Sequence, residues 1–564
     1  MRRFWKKYHK WVGLCFTFFI LMFCFSGIIL NHRKFFAEQE ISRSWMPGDY
    51  SYKNWNNGAV RGTLRLSNND VLIYGNTGIW KTDSCFSVFA PFSEGLKEGI
   101  DHRKISNLVV LSDSSVWCAG LYDIYRLSHT GSWELRTPVE SDGERIADIY
   151  GRGDTLVVLT RSHVLETLAP FDRFTRYELK TPVDYNPEVS LFRTVWLLHS
   201  GELFGLPGQL LVDLVALVII LLCLTGLIYL FIPKSMRHRA KQKLSVKKEA
   251  KLLKFSVKWH NQLGAWTLFF TVLLAATGMC LRPPLMIPLA MTRISPVPGS
   301  TMDADNPWHD KLRSIRWDGQ LQAWLMSTSA GFYQMVDFTE VPRSFQQQAP
   351  VSPMGINVFH QTPEGDWLIG SFSGLFQWNP RTGEVLDYLT GEPYGRSHVR
   401  PASSSAISGI SYDLARAPEI IFDYSEGTRT RTECPLLIAE MPEEIQNQPM
   451  SLWNFALELH VGRCYSPFFG PLSSLFVFLS GLLLTLILIS GYIIHRHPKA
   501  KKAAKGPKVP QGTSAGTTQK AAPASEATPT APASPTAPAS PTAPAPPTAP
   551  APPTAPAPQT PQTK

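Results

Sequence analysis

The sequence predicts a membrane α-helical bundle of four transmembrane helices, internally duplicated, with two β-rich exported domains. Three observations predict it. Four apolar runs are each long enough to cross a bilayer, the basic residues are sorted into the segments on one side of those runs, and one spacing of histidine and glycine occurs twice.

The runs are Trp11–Leu30, Leu210–Ile232, Leu263–Leu281 and Leu472–Ile494, with Asp213 as their single charged residue. Each holds about the 20 apolar residues that a helix needs to span the hydrocarbon layer. The first run is too long for the core of a secretory leader. Its Ser26-Gly27 is followed by Ile28-Ile29-Leu30 rather than by a small-residue cleavage site, so it is expected to stay as an anchor.

The formal charge of +10 has meaning only once it is located. Residues 1–10 carry five Lys/Arg, residues 233–259 carry ten and residues 495–508 carry six. With the rest of the tail these segments hold 23 of the 55 bases and two of the 45 acids, which leaves the remainder acidic. Short basic segments stay in the cytoplasm, so both termini and the central loop are expected inside and residues 33–195 and 283–455 outside. A multi-pass membrane location follows, with the lipid bilayer as partner. The basic balance then reports topology, and no nucleic acid is expected as a partner.

The expected organisation runs as follows: N-terminus and helix one (1–32), first exported domain (33–195), interfacial segment and helix two (196–232), basic loop (233–259), helix three (260–282), second exported domain (283–455), interfacial segment and helix four (456–494), and a basic then Pro/Ala/Thr-rich cytoplasmic tail (495–564). In the exported segments Val71–Tyr74, Val116–Cys118, Thr155–Leu159 and Trp367–Ile369 are short apolar or β-branched runs bounded by turn residues, which predicts strands. A Gly-apolar-aromatic step follows several of them and recurs elsewhere, at Gly78, Gly120, Gly331 and Gly374, and Asn379–Gly383 reads as a turn between two strands. A propeller-like set of about four blades per segment fits this, as does a sandwich or an irregular sheet. The tail from residue 509 repeats Ala-Pro-Ala-Ser-Pro-Thr and Ala-Pro-Ala-Pro-Pro-Thr hexamers with no apolar face, so it is expected to be extended. Of eight cysteines, Cys85, Cys118, Cys434 and Cys464 are exported, where disulfides form, and Cys85–Cys118 is one pairing open to them.

The repeat carries the chemistry. His9 precedes Gly13 by four residues and Gly27 by eighteen; His260 precedes Gly264 and Gly278 by the same two distances. Four and eighteen residues both return to the histidine's own helix face. Before helices two and four, Trp196-Leu-Leu-His199-Ser-Gly201 matches Leu457-Glu-Leu-His460-Val-Gly462. Thr225-Gly226 and Ser490-Gly491 then lie near the cytoplasmic ends. Two parallel copies imply a pseudo-twofold axis along the membrane normal.

Histidines near both faces of an apolar bundle suit b-type haem, whose iron takes imidazole as an axial ligand, and glycine on the same face lets a macrocycle or a neighbouring helix approach. A boundary histidine also serves as a headgroup contact, and a glycine as ordinary helix packing. By depth His9 pairs with His260 at the inner face and His199 with His460 at the outer face. His32, about 34 Å along the helix from His9, is a competitor at the outer face. No phosphate loop, Cys-x-x-Cys pair or His-Glu-x-x-His is present.

Four motifs in order, His9–Leu14, Leu198-His199, Trp259–Gly264 and Leu459–Gly462, resemble the PepSY-associated transmembrane family. That resemblance implies a place in the bacterial inner membrane, among iron-regulated proteins and ferric-siderophore reductases that look like dihaem b-type cytochromes. It implies two haem b groups held by His9, His260, His199 and His460, with His32 as a further candidate. Electrons would come from a cytoplasmic reductant or the quinone pool and pass to a ferric chelate on the exported side. The exported segments and the tail depart from the family pattern. The alternative function is a non-redox envelope protein that binds a ligand or partner through its exported domains.

Overall fold

The computed structural model describes residues 2–394, 406–414, 419–431 and 440–496. The Pro/Ala/Thr tail, Cys434 and His497 lie outside the described residues.

Helix α1 (Arg2–Asn31) rises through the first apolar run. A short helix α2 (Leu191–Ser200) ends at Gly201, whose φ of 85° is the left-handed cap that turns the chain into α3 (Gly205–Lys241). After the basic loop come α4 (Lys247–Trp266) and α5 (Leu268–Cys280). The second repeat closes with another short helix, α6 (Leu452–Val461), capped by Gly462 at φ 80°, and with α7 (Ser473–Arg496). Three of these helices are long and apolar enough to cross a membrane, or four if the bent pair α4 and α5 counts as one span.

The third run is therefore not the straight helix expected. It bends by 68° at Thr267. The Thr267 hydroxyl donates to the Leu263 carbonyl at 2.8 Å, and the Thr271 hydroxyl donates back to the Thr267 carbonyl at 3.1 Å. Such back-bonding competes with the helical ladder and is a known cause of bending.

α1 packs against α3 and α7, and α7 against α5. Ile20, Cys24, Val215, Ala216, Ile219, Ile220 and Ile487 form the apolar centre of this contact.

The two segments between the apolar helices, expected to be exported, fold into small antiparallel sheets of consecutive strands. They occupy residues 62–91, 107–135, 146–177, 312–344, 358–387 and 407–429. The four strands read from the sequence are found, as Val71–Gly75, Val116–Ala119, Thr155–Thr160 and Trp367–Ser371. Asn379–Gly383 does join two of them, Gly374–Trp378 and Val385–Asp387. Gly78 and Gly374, at φ 91° and 133°, supply backbone that other residues resist at two of the Gly-aromatic turns.

The sheets of the two segments share cores. Val157, Leu159 and Val164 of the third sheet pack with Leu312, Ile315 and Trp324 of the fourth. Ile73 and Trp80 of the first pack with Ile420 and Phe422 of the sixth. Two-residue strands also tie the segments together, Glu40 opposite Ser451 and Val189 opposite Ile294. Cys85 and Cys118 are not bonded. Cys118 is buried in the apolar core between the first two sheets, and both thiols are free.

Candidate functional site

Four histidines expected from the sequence meet in two pairs. His9 of α1 and His260 of α4 have ring centroids 6.1 Å apart with planes at 80°. His199 of α2 and His460 of α6 have centroids 6.1 Å apart with planes at 52°. α1 reaches both levels, carrying His9 at one and Gly27 at the other, a rise of about 27 Å for eighteen residues.

Each ring is held from behind in the same way. His9 Nδ1 lies 3.0 Å from the Ile487 carbonyl and 3.0 Å from Ser490 Oγ. His260 Nδ1 lies 3.1 Å from the Leu222 carbonyl and 2.9 Å from Thr225 Oγ1. His199 Nδ1 lies 3.2 Å from the Leu274 carbonyl and 3.1 Å from Thr277 Oγ1. His460 Nδ1 lies 2.9 Å from Ser26 Oγ, with a backbone hydrogen bond to Phe23. A carbonyl only accepts, so the proton belongs on Nδ1 and the Nε2 lone pair is left free. That is the tautomer of a metal-ligating imidazole whose far nitrogen is fixed by the protein.

The glycine after each hydroxyl explains how the ring fits. A Cβ on Gly278 would stand 2.8 Å from His199 Cε1, and one on Gly491 would stand 3.0 Å from His9 Cε1. Gly27 and Gly226 meet His460 and His260 at 3.4 and 3.6 Å. The repeated Ser/Thr-Gly dipeptide is thus a seat for an imidazole, the hydroxyl binding Nδ1 and the bare Cα receiving the ring edge. The deeper glycines Gly27 and Gly278 serve here. Gly13 has nothing within 4 Å of its would-be Cβ, and Gly264 meets only Leu222 at 3.6 Å. Every seat is built from the repeat that does not supply its histidine.

His32 joins neither pair. Its Nε2 is 2.6 Å from Asp213 Oδ2, and Asn31 Nδ2 donates to the other carboxylate oxygen at 3.1 Å. Asp213, the one charge in the apolar runs, is thereby satisfied in the N-terminal part of α3.

His9 with His260, and His199 with His460, would hold a metal ion through their Nε2 atoms; a bond of about 2 Å to each nitrogen, plus about 1 Å from nitrogen to ring centre, is compatible with centroids 6.1 Å apart. Among the described residues there is no cluster of three or more His, Cys, Asp or Glu. Two ligands per site suit haem, which brings its own four nitrogens.

The repeat places Ser26-Gly27, Thr225-Gly226, Thr277-Gly278 and Ser490-Gly491 in matching positions, but its spacing assigns no role to their hydroxyls. Four-fold recurrence of Ser/Thr before Gly was the available signal.

The family described as "PepSY-associated TM region" matches the chain twice, over residues 1–234 and 228–497. No curated protein matches it. Two solved structures similar to it are extracellular domains of hybrid two-component systems from B. thetaiotaomicron. They share 12% and 11% identity over 67% and 66% of this chain, each at TM-score 0.30. The chain spans 39% of the length of either structure.

Proposed function

The chain belongs to the PepSY-associated transmembrane family, and from that premise we propose that it is a dihaem membrane electron carrier. In this reading it draws electrons from a cytoplasmic reductant or the quinone pool and reduces a ferric chelate on the exported side. The observation that carries the reading is the convergence of four histidines into two pairs at 6.1 Å, each with Nδ1 tied to a carbonyl or hydroxyl.

Haem b would supply one-electron chemistry between ferric and ferrous iron. The chain's part is to present Nε2 of His9 and His260 at one level and of His199 and His460 at the other. It also excludes water with the apolar packing around Ile20, Ile219 and Ile487, and hardens each ligand through its Nδ1 hydrogen bonds. The bent pair α4 and α5 counts as one span here, giving four spans, both termini in the cytoplasm and the sheets outside, in a bacterial inner membrane. We take the six sheets as one propeller-like ring shared by both segments. Sheets adjacent in sequence share cores, and Thr63 of the first bonds Ser411 of the sixth at 2.7 Å.

A reduced-minus-oxidised absorption spectrum of the purified protein tests the cofactor. Low-spin b-type bands at two haems per chain are expected. A colourless preparation from haem-replete cells would leave the helices as anchors for a ligand-binding exported domain.

A further inference from the structure

A cluster of cations gathers where the sheets meet the helices. Arg61, Lys104 and Arg145 stand just ahead of the first strands of the first three sheets, which begin at Gly62, Asn107 and Ile146. Arg313 is the second residue of the first strand of the fourth sheet. Arg33 follows the end of α1, Arg193 lies on α2, and Arg161 sits in a turn of the third sheet. The succession of sheets brings together residues from both sheet-bearing segments and from the helix ends next to them.

The cluster is short of counter-charge. Asp101 accepts from Arg33 at 2.8 and 3.0 Å and from Lys104 at 2.5 Å. Asp310 accepts from Arg161 at 2.9 Å and from Arg193 at 2.8 Å. Glu202 is a third carboxylate, within electrostatic reach of Asp310 and Arg193. Among the described residues the guanidinium groups of Arg61 and Arg145 have no hydrogen bond or ion pair, and they lie in reach of each other and of Arg33. The surrounding protein, then the charges of Arg33, Arg161 and Arg61, push the Arg145 group down to about 9, although its side chain is exposed and that of Arg61 half-buried. Seven cations stand with three carboxylates, and like charges in reach of one another repel until an anion compensates them.

Its position relates it to the outer histidines. Arg33 stacks on Trp453 of α6 at 3.9 Å, and Trp453 is seven residues ahead of His460. Arg193 is six residues ahead of His199 on α2. Both histidine-bearing short helices thus run from the outer pair to the cluster, over about 10 Å. The cationic group in reach of His460 itself is Arg282.

We propose that Arg61 and Arg145, framed by Arg33, Lys104, Arg161, Arg193 and Arg313, form a binding site for a polyanionic ligand rich in carboxylate- or phosphate-like oxygens. Building on the electron-carrier reading, the ligand is the anionic ferric chelate that receives the electrons. Guanidinium forks suit such oxygens because they donate two parallel hydrogen bonds, and a cluster of like-signed cations also raises the local concentration of anions.

The test is a binding titration of full-length protein in uncharged detergent, with no reductant, followed by tryptophan fluorescence. Ferric citrate is the probe. Wild-type protein should bind it, more weakly as salt is raised. Arg61→Gln with Arg145→Gln should weaken binding at least tenfold at unchanged melting temperature. Iron-free citrate separates the two sources of anion: weaker binding than ferric citrate assigns the site to the chelate, and equal binding assigns it to a free polyanion. Should the glutamine pair fail to fold, inorganic phosphate must displace ferric citrate from wild-type protein. Absence of binding, an unaffected glutamine pair, or no displacement by phosphate would overturn the site. Because no electron moves, a protein without haem bands can still bind, so this result and the cofactor result fail separately.

Discussion

At the scale of single residues, the unit of the site is an imidazole seated on a hydroxyl and a glycine of another helix. His9→Ala and His260→Ala should each remove the same component of the haem spectrum, and His199→Ala and His460→Ala a different one. Difference spectra of the four variants check this, and loss of the outer component in His32→Ala with His460→Ala intact would refute it. The glycine seats give a sharper comparison. A methyl group at Gly278 meets His199 Cε1 at 2.8 Å, where something must move, whereas one at Gly13 meets nothing within 4 Å. Gly278→Ala should therefore lose or broaden the outer component, and Gly13→Ala should leave both components as they are. The sequence made the histidines legible because imidazole is rare and its spacing repeated. It left the hydroxyls silent because Ser and Thr are common in membrane helices and only a neighbour from another helix gives them a task.

Among elements, the sheets and the bend differ most in how far sequence could reach. Strands bounded by turn residues were legible from alternation and glycine, as at Val71–Gly75 and Trp367–Ser371. Which sheets share a core was not, because apolar residues such as Ile73 and Phe422 carry no label of their partner. Trp367 is 2% exposed and donates to Asp318 Oδ2 of the preceding sheet at 2.8 Å. Trp367→Ala should cost about 3–5 kcal/mol through the cavity it leaves, together with the stranded carboxylate. Thermal unfolding followed by protease sensitivity of the exported part would measure it, and an unchanged melting point would contradict the packing described. The bend at Thr267 was illegible because a hydrophobicity count treats a threonine in an apolar run as neutral, while its hydroxyl competes for a backbone carbonyl.

For the whole molecule the decisive relation is between the two repeats. His9 sits on Gly491, His260 on Gly226, His199 on Gly278 and His460 on Gly27, so each repeat completes the sites of the other. Residues 1–241 or 247–496 expressed alone should bind no haem, whereas co-expression of both should restore two haems per pair of fragments. One half with an intact b-type spectrum would sink this. Topology is tested with reporter fusions. Cytoplasmic reporters should be active at residue 240 and inactive at 120 and 370, and the reverse result would overturn the arrangement.

The sequence by itself determined the apolar runs and the recurrent spacing of His9, His260, His199 and His460, and its basic segments predict which side each loop takes. These follow from local quantities: hydrophobicity over about 20 residues, charge, and the helical rise. Depth left two ways to pair the outer histidines, across the repeats or within one through His32. Tertiary structure chose between them. Asp213, brought beside α1 by α3, takes His32, and the crossing of α1, α5 and the short helices sets His199 over Gly278 and His460 over Gly27. The same holds for the exported part, where two segments separated by two apolar helices share cores and gather one set of arginines. Such contacts depend on which surfaces become neighbours, and that is fixed by the packing of the whole chain rather than by any window of its sequence.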